Sequence, residues 1–178
     1  MTQDQPIHLQ QTAMYFGTFM GLFWIIKFTF LPLGFTIPLL QFLFVLLTCF
    51  VPILGYLYTR KFRDRYCGGS ITFSRAFAFT VLMYFFAALL AAVAHYIYFR
   101  FLDNGFLAES YIGQLEAMKP AATEELKESI DQFIEGFSLI SSLSPIQLTF
   151  QLISQNFMYG VLLALPTSLL VMRKKRHE

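Results

Sequence analysis

Five polar side chains stand inside otherwise apolar runs at positions where a charge or an amide has chemical use: Lys27, Gln41, His95, Gln151 and Gln155. An ammonium and an imidazole can hold an anion, and primary amides can donate to its oxygens. Together the five would form a polar pocket for an anionic group such as a lipid phosphate. Lys27 also has a plainer reading, an interface anchor whose aliphatic stem carries the ammonium up to the headgroups. A proton relay through His95 has little support, because none of the apolar runs contains Asp or Glu. The same absence argues against a proton- or sodium-coupled transporter. Gln147, Gln151 and Gln155 recur at i, i+4 and i+8, one face of a helix.

Catalytic and metal-binding patterns are missing. The chain has no H-E-x-x-H, no CxxC pair and no phosphate-binding glycine loop; Gly68 and Gly69 read as a turn. Its serines and histidines have no carboxylate-oriented arrangement, so no catalytic residue, cofactor or metal is expected and the protein reads as a non-enzyme. The two cysteines, Cys49 in an apolar run and Cys67 in a basic loop, are too far apart along the predicted spans to pair and are expected to be free thiols.

The elements that must position these groups follow from composition. Of 178 residues, 56% are apolar and only 13% charged, with a mean hydropathy of +0.56. Soluble domains carry roughly 25% charge, so the second solvent is a bilayer, and a disordered, collagenous or nucleic-acid-binding chain is excluded. Crossing a hydrocarbon core of about 30 Å takes about 20 apolar residues in a helix. Four stretches are long enough, at about 12–33, 37–58, 77–101 and 146–172. They are continuously apolar rather than alternating, which rules out a β-barrel. The fold class is therefore all-α: a polytopic membrane protein, a single domain of four transmembrane helices. No basic residue precedes the first run and no A-x-A-like site follows it, so that run reads as a span and not a cleaved leader.

Pro32 to Thr36 is short enough to make spans one and two a hairpin, with Pro38 placed to start the second helix. Arg60, Lys61, Arg63, Arg65 and Arg75 lie in a loop at about 59–76, and Arg173, Lys174, Lys175 and Arg176 follow span four; these nine of the thirteen bases share one side. That side is expected to be the cytoplasm, with both termini on it. The segment at about 102–144 is then external. It carries eight acids against Lys119 and Lys127, a local net charge of −6. Apolar residues recur in it at helical spacing, as Leu107, Tyr111, Leu115 and Met118, then Leu126, Ile130, Phe133, Phe137 and Ile140. The expectation is two amphipathic helices hinged at Pro120, the second capped by Thr123.

Small residues mark where spans approach closely: Gly17 and Gly21, Ala87 with Ala91 and Ala88 with Ala92, and Gly160 with Ala164. They serve packing within the bundle, and Gly17 and Gly21 also offer a homodimer seam. Pro52 and Pro166 fall within spans two and four, where each frees a carbonyl.

Three features resemble one family: Gly68 to Phe77, with its glycine turn and aromatic, basic helix start; Tyr96, Tyr98, Phe99 and Phe101 closing span three; and an acidic helix pair ending in Ser144-Pro145. The chain resembles, over essentially its whole length, the small bacterial inner-membrane proteins known as domain of unknown function 4199. The resemblance implies the four-span plan and a place in the bacterial inner membrane, and it brings no catalytic residues. It also points to an association with polyprenyl-phosphate glycosyltransferases, which makes an accessory role beside such an enzyme one alternative. Taken with the residues, the leading expectation is a cell-envelope scaffold or accessory subunit contacting a membrane partner through its acidic external helices. The other alternative is lipid handling or small-solute transport through the outer polar pocket. Membrane lipids are expected partners and nucleic acid is not.

Overall fold

The computed structural model describes residues 9–173. Six α-helices dominate them: α1 (Leu9–Gly34), α2 (Pro38–Tyr66), α3 (Phe73–Phe101), α4 (Phe106–Met118), α5 (Glu124–Ser141) and α6 (Pro145–Val171). α1, α2, α3 and α6 are each long and apolar enough to cross a membrane. The chain is thus an all-α polytopic membrane protein. Lys174, Lys175 and Arg176, part of the predicted basic tail, lie outside the described residues.

Local sequence sets the helix ends. Pro38 opens α2, where its missing N–H costs nothing. The Thr72 side chain accepts from Arg75 N at the start of α3. Ser144 starts α6 with a capping box: its hydroxyl accepts from Gln147 N, and the Gln147 amide oxygen accepts from Ser144 N at 2.9 Å. Thr123 occupies the N-cap position of α5 as expected, but its hydroxyl makes no cap bond. The long helices also overrun the apolar runs. α2 continues two turns past residue 58 and α3 begins before residue 77, where Thr59, Phe62 and Ala76 are buried in the bundle while Arg60, Lys61 and Arg65 are exposed. Only 67–72 remains as loop, turned by Gly68 and Gly69 at φ 61 and 80. α1, α2 and α6 run as single helices through Pro32, Pro52 and Pro166.

α3 is the central element. It packs along α1 on one side and α6 on the other, and α2 closes the bundle against α1 and α6. Half of its most apolar window is buried, against about a tenth for α2, which leaves α2 the most lipid-facing span. The core runs from Ala13, Phe16 and Met20 to Phe79, Met83, Tyr84, Ala87 and Ala91. Phe62 and Phe79 stack at 4.0 Å between ring centroids.

The small residues are consumed by this packing. A Cβ on Gly17 would meet Phe86 Cβ at 2.7 Å, and one on Gly21 would meet Leu90 Cβ at 3.0 Å. The face at Gly17 and Gly21 that the sequence also offered to a second copy is packed against α3 of the same chain.

The two ends differ in charge. At one end, Ile71 and Arg173 exchange both backbone hydrogen bonds at 3.0 Å, and the Arg63 guanidinium donates to Val171 O. This staple gathers the 67–72 loop, the end of α6 and the bases Arg60, Lys61, Arg63, Arg65 and Arg75. At the other end, Phe35 in the α1–α2 turn packs edge-on to Phe106 and Tyr111 of α4. The acidic insert is thereby seated over the α1–α2 hairpin. α4 and α5 fold back on each other through a single 3₁₀ turn, Lys119–Ala121. They are held by the stacked rings of Tyr111 and Phe137, 5.0 Å apart, and by the Lys119–Asp131 ion pair.

Candidate functional site

Beneath the insert lies a cavity of about 560 Å³. Phe28 and Leu31 of α1 and Phe99 of α3 form one wall, the α6 residues Leu148 and Leu152 another, and Tyr111 and Phe137 the roof. The size falls within the range of small-molecule sites, and such aromatic and aliphatic walls are typical of them.

Sequence dictates this shape. α4 and α5 pack on each other, with Leu107 and Ile130 almost fully covered, while Met118, Leu126, Phe133 and Ile140 of the same stripe stay exposed. They touch the bundle through the Phe35 ring.

Four polar side chains reach the lining: Asp103, Ser141, Gln151 and Gln155. Asp103 is the notable one. It follows α3 directly, is only 8% exposed, and accepts from Gly105 N at 3.2 Å and Leu107 N at 3.1 Å. Those bonds cap α4 and pin the carboxylate at the positive end of its dipole. The turn is completed by Asn104 and Gly105, both in the left-handed region. Asp103 counted in the sequence only as one of eight acids. Its signal was the Asp-Asn-Gly turn at the point where span three ends.

The five residues picked from sequence separate into four places. Gln151 and Gln155 line the cavity from α6. Lys27 is half-buried, with Nζ 5.3 Å from the centre of the Phe44 ring on α2. Gln41 is half-buried in the first turns of α2, its backbone against Gly34. His95 is buried edge-on to Phe28, 4.4 Å between ring centroids, and its Nδ1 has no hydrogen-bond partner. Phe28 stands between them, touching His95 on one side and the cavity on the other. No hydrogen bond joins any two of the five among the described residues. Gln147, the first of the helical glutamine row, is spent on the α6 cap.

The cavity lining contains one charged side chain, Asp103, and no base. It can therefore take an apolar body, offers amides for a neutral polar group, and presents a negative charge near the insert. Among the described residues, no group of three or more His, Cys, Asp or Glu is arranged to hold a metal ion.

Residues 15–173 match the family described as protein of unknown function (DUF4199). No curated protein and no solved structure matches the chain.

Proposed function

The chain belongs to that family of unknown function, and from its own geometry we propose that it is a non-enzymatic, lipid-handling protein of the bacterial inner membrane. The cavity under the insert carries this reading. It lies at the insert end of α1, α3 and α6, and its mostly apolar lining favours an apolar guest. Gln151, exposed on α6, and Gln155 below it supply hydrogen bonds to a polar group on that guest. The basic end is read as cytoplasmic, since arginines and lysines concentrate on the cytoplasmic side of membrane proteins; the insert is then external.

Extraction into native-lipid discs followed by mass spectrometry tests this directly. The wild-type chain should retain a bound lipid that Leu152→Trp, which fills the cavity from α6, loses. Wild type without any bound lipid would overturn the proposal.

A second reading, contact with a membrane partner through the insert, rests on a separate observation. Both insert lysines are already engaged, Lys119 with Asp131 and Lys127 with Glu124, while Glu109, Glu116, Glu125, Glu128 and Glu135 form no ion pair among the described residues. Their charge is open to a basic surface. Removing residues 106–137 should then lose a co-purifying membrane protein, a glycosyltransferase among the alternatives; an unchanged set of partners would reject this reading.

A further inference from the structure

Asp103 gives the cavity a chemical preference. Asp103 as a whole residue is only 8% exposed, and burying a charge is costly unless it is paired. The Gly105 and Leu107 N–H groups and the Tyr98 side chain that bond to it use part of its capacity, since a carboxylate has about four acceptor positions. No Lys, Arg or His pairs with it among the described residues. Arg100, the nearest base in sequence, lies over the Phe101 ring instead, and Lys27 is turned to Phe44.

We propose that the cavity binds amphiphilic amines, molecules with an apolar tail and a protonated amine, the ammonium seated at Asp103. This rests on the reading of the cavity as a site for apolar guests and names the head that such a guest carries. The tail lies against Phe28, Leu31 and Leu152. The ammonium meets the carboxylate at the end where Tyr111 and Phe137 form the roof, and aromatic faces add attraction for a cation. The insert's net charge of −6 draws cations to this end of the bundle. An anionic head such as a phosphate would meet Asp103 with no base beside it and is disfavoured. α4 holds the carboxylate in place before any ligand arrives, so little ordering accompanies binding.

The test uses the full chain in phosphatidylcholine nanodiscs, with dodecylamine and dodecanol as probes of equal tail and different head, and bound probe counted by native mass spectrometry. Dodecylamine should bind at least tenfold more tightly than dodecanol. Asp103→Asn, which keeps one of the two side-chain oxygens that cap α4, should bring the amine down to the alcohol's affinity and leave the alcohol unchanged. Unchanged alcohol binding also reports that the variant is folded. Glu128→Gln, the same charge change on the exposed face of α5, should preserve the preference. Equal binding of the two probes to wild type, or an amine preference that survives Asp103→Asn, overturns the proposal while leaving an apolar site in place. If neither probe binds wild type, the cavity reading itself fails, and the amine proposal with it.

Discussion

At the scale of single residues, contact distance decides what the fold tolerates. A Cβ on Gly160 would come 2.6 Å from Tyr84 Cβ, and Tyr84 is fully buried at the centre of the bundle, so neither side can yield. Gly160→Ala should lower stability by about 1–3 kcal/mol, the usual range for overpacking, read as a reduced Tm in micelles. Gly113, exposed on α4 with open space around it, supplies the contrast. Gly113→Ala should be neutral or stabilising by up to about 1 kcal/mol, since alanine is the better helix former. Equal losses at both glycines would contradict this account of the core. Cys67, in the 67–72 loop, adds a pH-dependent expectation. Burial pushes its thiol up from the ordinary value, and the nearby Arg75 charge opposes that shift more weakly. A raised pKa leaves less thiolate at neutral pH. In a Cys49→Ser background, alkylation of Cys67 should therefore be slower than that of a free thiol and should rise only at higher pH. Arg75→Gln, which removes the charge favouring thiolate, should move the profile further up; a shift downward would contradict the assignment.

At the scale of elements, the spans are joined by few polar contacts, and these can be measured. Thr59 of α2 and Thr80 of α3 meet hydroxyl to hydroxyl at 2.9 Å in the buried core, and each hydroxyl also lies 2.8 Å from a carbonyl of its own helix, Gly55 O and Ala76 O. Two hydroxyl protons serve these three contacts, so the pair is coupled to both helices. A double-mutant cycle with Thr59→Val and Thr80→Val should give a coupling near 0.6 kcal/mol, the average for such bonds between membrane helices. A coupling of zero would place the α2–α3 association in packing alone. The insert follows another rule. Its helices hold each other through the stacked rings of Tyr111 and Phe137 and touch the bundle through Phe35. Phe35→Ala should therefore loosen the roof while leaving the bundle folded, seen as faster amide exchange in α4 and α5 with unchanged protection in α3; equal loss of protection in α3 would show that the two parts fold as one unit.

For the whole molecule, charge and topology coincide. The ring contacts of Phe35 place the α1–α2 turn and the acidic insert at one end, and the Ile71–Arg173 staple places the basic loop and the end of α6 at the other. With four spans between, an impermeant maleimide applied to sealed membrane vesicles should label Cys67 from one side. A cysteine at Glu128, in a chain free of Cys49 and Cys67, should label from the opposite side. Labelling of both from the same side would break the four-span arrangement. Cys49, exposed in the middle of α2, should resist the reagent from either side because lipid covers it.

The sequence by itself determined the class and the plan: continuous apolar runs of span length can be satisfied in a bilayer only as helices, and the sorting of bases from acids orders the two ends. The start of α2 at Pro38 was legible too, because the fit of proline to a first helical turn is local chemistry. The site was legible only in part. Gln151 and Gln155 stand out as amides on one helical face, but which of Lys27, Gln41 and His95 would join them depends on how each helix is rotated about its axis, and that rotation is set by packing against neighbours. Glycines drew α1 against α3, Phe28 came between His95 and the cavity, and Lys27 turned to Phe44. Asp103 owes its significance to tertiary structure alone: only when α4 folds back beneath its own cap does an ordinary loop acid become a buried charge facing an apolar cavity.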